Sequence, residues 1–253
     1  MKAEAMVSIE GISKSFRNQG KELNVLHNIS IDIDNGEFVC ILGHSGCGKS
    51  TLLRIVAALE QPDHGRILVD GVSHRYPNRE VILLGQDFNQ LLPWKKIVNN
   101  IVHPLRATRK ISNRKAAKER ALELLSAVGL SGYSDYYPHQ LSGGMKQRAA
   151  VARALSLEPK VLLMDEPFAA LDDVTRKQLR VLVRNICEQH NVTTLFVTHN
   201  IEEAITLGNR IVVMGKLAGA MRGVVLNEAY QKPDEKDLRI RMRSKILDYL
   251  ENQ

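Results

Sequence analysis

The amino-acid sequence predicts an α/β fold with a parallel sheet in its core and a helical insert. Residues 37–42, 161–164 and 194–197 are short, nearly continuous apolar runs, which are typical of parallel strands covered on both faces. Helical patterns at 112–128 and 176–189 lie between these runs. Such alternation of buried strands and helices along a chain is typical of an α/β sheet.

The segments outside this core have patterns of their own. Residues 7–9 and 29–33 predict a strand-rich start, and a turn at 34–36 separates it from the first buried strand. A helix is predicted to begin near Lys49, because apolar residues recur at helical spacing after it. Residues 233–253 are predicted to form a charged terminal helix.

The composition is that of an ordinary soluble domain. The chain has 253 residues, 44% of them hydrophobic and 25% charged, with a net charge of +7, so a single domain can bury a core. No run approaches the ~18 apolar residues of a membrane span, and no signal-peptide pattern follows Met1, so we expect a cytoplasmic protein. Cys40, Cys47 and Cys187 lack metal-ligand spacing, which predicts free thiols, no disulfide and no zinc. The basic residues are dispersed without interleaved aromatics, so we expect no nucleic-acid partner.

A glycine-rich loop at 43–50 matches the phosphate-binding pattern G-x-x-x-x-G-K-[ST], directly after a strand and before a helix. Backbone N–H groups and the positive helix end are predicted to bind phosphates, Lys49 to reach the β- and γ-phosphates, and the Ser50 hydroxyl to ligate Mg²⁺. The substrate expected for such a loop is ATP with Mg²⁺. The predicted phosphate-binding residues are Gly43, His44, Ser45, Gly46, Cys47, Gly48, Lys49, Ser50 and Thr51.

Two carboxylates, Asp165 and Glu166, directly follow the apolar run at 161–164. They are therefore expected at the C-terminal edge of the parallel sheet, where ligands bind. Asp165 is predicted to hold the Mg²⁺ shell, and Glu166 to orient or deprotonate the attacking water. Isolated, such a pair is more often a helix cap or a solvated turn. Its combination with Lys49 favours the catalytic interpretation.

A second glycine-rich loop, 141–145, precedes a helix predicted at 146–155. Ser142, Gly143 and Gly144 can present N–H groups and a positive helix end to an anion. The chain thus has two candidate phosphate-binding loops but only one set of Mg²⁺-binding and water-activating residues. Two copies packed head to tail would join the first loop of one copy to the second loop of the other, forming a C₂ pair that encloses two ATP molecules.

These motifs, in this order, resemble those of the ABC (ATP-binding cassette) ATPase family over residues 7–214. The motifs are the phosphate loop, Leu-Ser-Gly-Gly-Met, Leu-Leu-Met-Asp-Glu-Pro-Phe and Val-Thr-His. The resemblance implies a phosphate-loop NTPase core with a parallel sheet, an antiparallel β subdomain and an α-helical insert. It also implies one domain of 1–253, divided into a core at about 1–87 and 151–215, a helical subdomain at 88–150 and a C-terminal extension at 216–253.

The same resemblance implies roles for single residues. Phe16 would stack on adenine, although a lone Phe near a strand is equally a core residue, and Asp172 would communicate across the dimer. Ala58 and Asn200 depart from the family's usual Gly and Asp. The expected catalytic residues are Lys49, Gln86, Glu166 and His199, and the expected metal ligands are Ser50, Gln86 and Asp165.

Within the family, residues 90–94 and 165–172 are similar to importer subunits for nitrate, taurine and alkanesulfonates. This similarity implies an ATPase on the cytoplasmic face of the membrane that drives import of a small anionic solute, with a periplasmic solute-binding protein as an indirect partner. Residues 91–94 would form part of a groove for a cytoplasmic helix of an integral membrane permease, but core packing explains these apolar residues equally well. The alternative function is a non-import ABC ATPase, a dimerisation switch on a cell-envelope or nucleic-acid complex.

Overall fold

The chain folds around two sheets in the computed structural model, which describes residues 5–18, 21–85, 90–169, 171–215, 219–232 and 234–251. An antiparallel sheet has the order β2-β1-β4-β5, and a six-stranded sheet has the order β10-β9-β3-β8-β7-β6. Within the second sheet only the β9–β10 pair is antiparallel. The strands are β1 (Val7–Asn18), β2 (Lys21–Ile33), β3 (Phe38–Gly43), β4 (His64–Val69), β5 (Val72–Ser73), β6 (Val81–Leu84), β7 (Val161–Asp165), β8 (Thr193–Thr198), β9 (Arg210–Met214) and β10 (Met221–Leu226).

Seven α-helices accompany these strands in the described part of the chain. They are α1 (Lys49–Val56), α2 (Ile97–Ala107), α3 (Arg114–Ala127), α4 (Gly143–Leu155), α5 (Asp173–Gln189), α6 (Ile201–Leu207) and α7 (Lys236–Glu251). Side-chain oxygens of Asn113, Ser142, Asp172 and Asn200 accept backbone N–H groups at the starts of α3 to α6. These caps explain why α4 and α5 begin three residues before the predicted 146 and 176, since a cap fixes the first helical turn.

Each central strand is buried on both faces, as its apolar run predicts. In β3, Phe38, Cys40 and Leu42 pack into the core on the side of α2 to α6. Val39 and Ile41, which alternate with them, pack into a second core with α1 and the antiparallel sheet. Successive side chains of a strand point to opposite faces, so the continuous apolar pattern corresponds to two cores separated by one sheet.

The strands at the start of the chain are longer than the predicted segments 7–9 and 29–33. β1 pairs along its length with β2, but the register shifts between Ile9 and Ile12 and twice more before Ser15. Gly11 lies in the first shift at a φ of 62°. These irregularities interrupt the period-two pattern of a regular strand, so the sequence pattern indicates only part of the strand.

The helical insert contains α2 and α3, and α4 connects it to the core. Leu91 is 2% exposed and belongs to the same hydrophobic cluster as Ile97. Leu91 is therefore a core residue, so of the two interpretations of residues 91–94 core packing applies to Leu91. Trp94, three residues later, is 70% exposed. The predicted boundary between residues 150 and 151 lies within α4.

The C-terminal extension is attached to the core by a strand and a helix. β10 extends the six-stranded sheet at β9, and α7 packs along this edge, where Gly223 lies against the ring of Tyr249. Arg239 and Arg243 of α7 pair with Glu202 of α6 at 2.8 and 2.9 Å. Within the described ranges, no helix has both the length and the hydropathy needed to cross a bilayer.

Candidate active site

The phosphate loop connects β3, in the middle of the six-stranded sheet, to the start of α1. Gly46 and Gly48 have φ angles of 81° and 96°, which other residues rarely adopt. A Cβ atom at Gly48 would lie 2.6 Å from the Val25 carbonyl oxygen, so only glycine fits there. No side chain of the described residues caps α1, and its first N–H groups therefore remain available to a bound anion.

Lys49 is 4% exposed and its ammonium group points back into the loop. It donates hydrogen bonds to the carbonyl oxygens of Gly43 and His44 at 2.9 and 2.8 Å. The same group lies 3.8 Å from Oε1 of Glu166. A buried ammonium needs such partners, and here they hold its charge between the loop and the end of β7.

Ser50 and Asp165 bring a hydroxyl and a carboxylate together. The Ser50 Oγ donates a hydrogen bond to Oδ1 of Asp165 at 2.9 Å. Burial raises the pKa of Asp165, while the Ser50 hydroxyl and Lys49 partly oppose that change. The ionised carboxylate is thus only partly compensated, and a cation beside it would stabilise its charge.

This pair fits Mg²⁺. The ion prefers oxygen ligands and is commonly held by one or two protein groups, together with water and substrate phosphates, rather than by an all-protein cage. Among the described residues, no three His, Cys, Asp or Glu side chains form a cluster suited to a metal. Ser50 and Asp165 therefore supply the partial ligand set that a nucleotide-bound Mg²⁺ requires.

Glu166 is held in an unusual backbone conformation beside His199. Its φ is 43°, a left-handed value that is uncommon for a residue other than glycine. Its backbone N–H donates to the Val197 carbonyl at 3.0 Å. Oε2 lies 2.8 Å from Nδ1 of His199, and because a carboxylate only accepts, this nitrogen carries the proton. Strained backbone of this kind is concentrated at functional sites.

The second glycine loop forms the start of α4. Ser142 Oγ accepts the Met145 N–H at 3.4 Å, and Gly143 and Gly144 are the first residues of the helix. A Cβ atom on Gly144 would lie 2.4 Å from the Thr175 methyl group, so glycine permits close contact between α4 and α5. Among the described residues, no hydrogen bond or ion pair joins this loop to residues 43–50.

The remaining predicted site residues lie apart or outside the described ranges. Phe16 is on β1 and is 39% exposed, with Lys14 Nζ 5.2 Å from its ring centroid. It is therefore not a core residue, and adenine stacking stays a prediction.

The other predicted residues have structural contacts or lie outside the described ranges. Asp172 caps α5 by accepting the Thr175 N–H, and this bond lowers the pKa of Asp172. Thr51 is half-buried on α1, and burial raises the pKa of Cys47. Gln86 lies outside the described residues, as does Ala170.

Sequence reasoning missed a buried group next to this site. Glu203, in α6, accepts a hydrogen bond from Thr198, the residue before His199. Thr198 belongs to the Val-Thr-His motif, but the sequence gives it no role. A carboxylate four residues after His199 at the start of a helix was the available signal, and its burial depends on how α5 and α6 pack.

Comparison with known proteins places the chain in a family. The family model described as ABC transporter matches residues 26–169. The chain is 41% identical to the aliphatic sulfonates import ATP-binding protein SsuB of Bacillus cereus, over 97% of this chain and 96% of that protein. It is 37% identical to the nitrate import ATP-binding protein NrtD of Synechococcus elongatus, over 94% and 89%.

A solved structure agrees with the sequence relatives. It is a dimeric ATP-binding cassette in a post-hydrolysis state bound to ADP and Pi, with a TM-score of 0.79 and 31% identity over 88% of this chain and 99% of that one. The fold and the site thus define an ATPase with a phosphate loop in an α/β core. The chain belongs to the ABC transporter family. The predicted family and fold class are confirmed.

Proposed function

We propose that the chain is the ATP-hydrolysing subunit of a membrane importer for a small anionic solute. One observation carries the catalytic part: the ends of β3, β7 and β8, which are neighbours in the sheet, bring Lys49, Asp165, Glu166 and His199 together. The ligand site of an open α/β sheet lies at this carboxyl edge. Family membership supports ATP as the substrate and Mg²⁺ as the cofactor.

Each side chain has a role that its contacts support. Lys49 can exchange its two bonds to the loop carbonyls for bonds to the β- and γ-phosphates, because its ammonium group already lies in the loop. Bound Mg²⁺, held by Ser50 and Asp165, would neutralise charge that develops on the phosphate oxygens. Glu166 orients the attacking water and accepts its proton. His199 donates from Nδ1 to Glu166, and Nε2 donates to a γ-phosphate oxygen when the ring is in its protonated form, in which both nitrogens carry a proton.

Hydrolysis is best tested with variants that change one carboxylate without changing shape. The purified chain should hydrolyse ATP only with Mg²⁺, and Glu166→Gln should reduce turnover on the order of 10²- to 10³-fold while nucleotide binding persists. Glu123→Gln, which changes an exposed carboxylate of α3, is the matched control and should keep full activity. Unchanged turnover in Glu166→Gln would exclude Glu166 as the base.

A head-to-tail pair explains the second glycine loop. Ser142, Gly143 and Gly144 lie at a helix start to which no described contact brings a Mg²⁺-binding or water-activating group, so they suit the phosphates of a nucleotide bound to another copy. The similar solved cassette is a dimer, which supports pairing of this chain. In the pair, each ATP is bound between the phosphate loop of one copy and the Ser142 loop of its partner.

A groove between the core and the helical insert suits the membrane partner. It has a volume of about 310 Å³ and is lined by residues of β6, α2 and α4, including Leu83, Pro104, Ala150 and Arg153. The Arg153 guanidinium donates to the Gln90 carbonyl, and the exposed Trp94 follows four residues later. An apolar groove with a few polar donors is the surface that an amphipathic helix recognises. The occupant we propose is a cytoplasmic helix of an integral membrane permease.

The similar proteins indicate the direction of transport and the kind of solute. The similar proteins are named for import of sulfonates and of nitrate, which are both small anions. We propose the same role, import of a small anion, for the present chain. Its indirect partner would be a periplasmic solute-binding protein, and the chain itself would lie on the cytoplasmic face of the membrane.

Membrane coupling is tested by co-expression with the permease subunits. Trp94→Ala should reduce recovery of the chain with the membrane fraction, while its own ATP binding is retained, because an exposed aromatic is a common interface anchor. Leu226→Ala, at a 72% exposed position on β10, is the control. Equal recovery of both variants would contradict the proposed contact of Trp94 with the permease.

A further inference from the structure

A buried ionic network lies between the residues around His199 and the loop that precedes α5. Its centre is Glu203, which is 6% exposed in α6. Oε1 of Glu203 accepts a hydrogen bond from Arg180 at 3.0 Å, and Oε2 accepts one from Thr198 at 2.6 Å. A buried carboxylate is costly without such partners, so the network holds Glu203 in one position.

Toward the site, the network fixes the backbone on both sides of His199. Thr198, which is 1% exposed, donates a hydrogen bond from its hydroxyl to Glu203 and accepts one from the Asn200 N–H at 3.0 Å. Asn200 in turn caps α6 by accepting the Glu203 N–H at 3.2 Å. One hydroxyl therefore fixes the position of His199, whose Nδ1 contacts Glu166 at 2.8 Å.

Toward the other side, the network reaches the loop between Glu166 and Asp172. Arg176 Nε lies 3.9 Å from Oε1 of Glu203. The same guanidinium donates to the carbonyl oxygens of Phe168 and Leu171 at 3.3 and 2.5 Å. A planar guanidinium with fixed donor directions holds several acceptors in one geometry. Arg176 thus links this loop to the carboxylate that positions Thr198.

We infer that Thr198, Glu203 and Arg176 form a positioning relay that couples the loop ending at Asp172 to His199. The inference rests on the proposed function, because it concerns hydrolysis at the same site. Its consequence is that a movement of Phe168 and Leu171, close to Asp172, which the second copy would contact in the proposed pair, shifts His199 relative to Glu166. None of the three residues needs to touch the nucleotide.

The first test removes one hydroxyl at constant shape. Thr198→Val should lower kcat by ~10- to 100-fold, the cost of a small misplacement of a reacting group, with KM for ATP changed by less than about twofold. Thr198→Ser restores the hydroxyl and should recover kcat. The control is Asn227→Ala, because the Asn227 amide ties the other end of α6 by donating to Ile205 and Gly208 carbonyls at 2.8 and 2.7 Å. It should destabilise the fold without lowering kcat.

The second test asks whether Thr198 acts through His199. In a His199→Ala background, Thr198→Val should lower kcat less than about twofold further, since residues that act as one unit are not additive. An undiminished effect in that background would overturn the relay. So would a Thr198→Val protein that melts earlier but keeps wild-type kcat well below its melting temperature.

A third measurement keeps the inference testable if Thr198→Val does not fold. Arg176→Gln changes a partly exposed side chain and should also lower kcat at near-constant KM. Because Thr198→Ser retains the hydroxyl, the double variant Arg176→Gln with Thr198→Ser should have the same kcat as Arg176→Gln alone. Unchanged kcat in Arg176→Gln overturns the link to the loop. Absence of Mg²⁺-dependent hydrolysis in the unmodified chain would instead overturn the proposed function.

Discussion

The two glycine-rich loops of this chain both precede a helix, but their surroundings differ. The loop at 43–50 leads into an uncapped helix and has Lys49 inside it and Asp165 and Glu166 beside it. The loop around Ser142 leads into a helix that its own serine caps, and the described contacts bring no carboxylate to it. In the proposed mechanism the first loop lies beside the Mg²⁺-binding and water-activating groups, whereas the second offers only N–H groups, a serine hydroxyl and a helix end. Such a loop contributes to catalysis only when another molecule brings the nucleotide.

The largest expected effect, and the strongest test of the different roles of the two loops, comes from inactivating each loop in a different copy of the chain. Lys49→Ala and Ser142→Asp should each lower ATP turnover on the order of 10²-fold or more. Asp is a good helix cap, so Ser142→Asp preserves the start of α4 and adds only a charge that repels phosphate.

Mixing the two variants should restore turnover to about a quarter of the wild-type value. Half of the randomly formed C₂ pairs are mixed, and each mixed pair keeps one of its two sites intact. Turnover of the refolded or co-expressed mixture is the measurement, with each variant alone as its control. A mixture that stays at the level of the single variants would place both loops in one chain's site.

The difference between the loops also explains how far the sequence could predict the site. The loop at 43–50 is a local feature, with its strand, glycines and helix consecutive in the chain, and each element is found where the pattern predicts it. Asp165 ends an apolar run and was predicted on the same local grounds. Its 2.9 Å contact with Ser50 depends on the sheet order, which inserts β8 between β3 and β7.

Features that depend on packing between distant segments were beyond the sequence. Leu91 and Trp94 lie in one apolar stretch, yet Leu91 belongs to the core cluster with residues of α2 and α3, whereas Trp94 is 70% exposed. The sequence pattern of Glu203 is that of an ordinary carboxylate on a helix surface, and its burial becomes evident only from the packing of α5, which brings Arg180 into contact with it. The shifted register of β1 likewise depends on its pairing with β2.

An intermediate effect is expected at Asp165, the carboxylate that only the first loop possesses. Burial raises its pKa in the folded protein, so the ionised form is less favourable there than in the unfolded chain. Above the raised pKa, the cost of ionising buried Asp165 lowers the folding stability of the nucleotide-free protein. This loss of stability disappears as the pH falls below about 3.9, the ordinary pKa of an Asp carboxyl, because Asp165 is then protonated in both the folded and the unfolded chain.

Asp165→Asn should therefore raise the melting temperature of the nucleotide-free protein at neutral pH and abolish its Mg²⁺-dependent turnover. The gain should shrink toward pH 4, as measured by thermal unfolding in chelator. Asp135→Asn is the control of opposite sign, because Lys96 lowers the pKa of Asp135 and its removal should not stabilise the protein. A lower melting temperature for Asp165→Asn would show that its charge is already compensated.

The smallest effect concerns how the helices after the two loops end. α1 and α4 are both followed by a non-glycine residue in the left-handed region, Ala58 at a φ of 55° and Glu158 at 48°. Ala58→Gly removes a steric cost of ~1 to 2 kcal/mol but adds backbone entropy to the unfolded chain, so we expect a net gain of about 0.5 kcal/mol. Ala57→Gly, one residue earlier in right-handed geometry, should instead cost about 0.5 to 1 kcal/mol. Urea unfolding of both variants measures the two changes, and equal signs would mean that the conformation of Ala58 carries no strain.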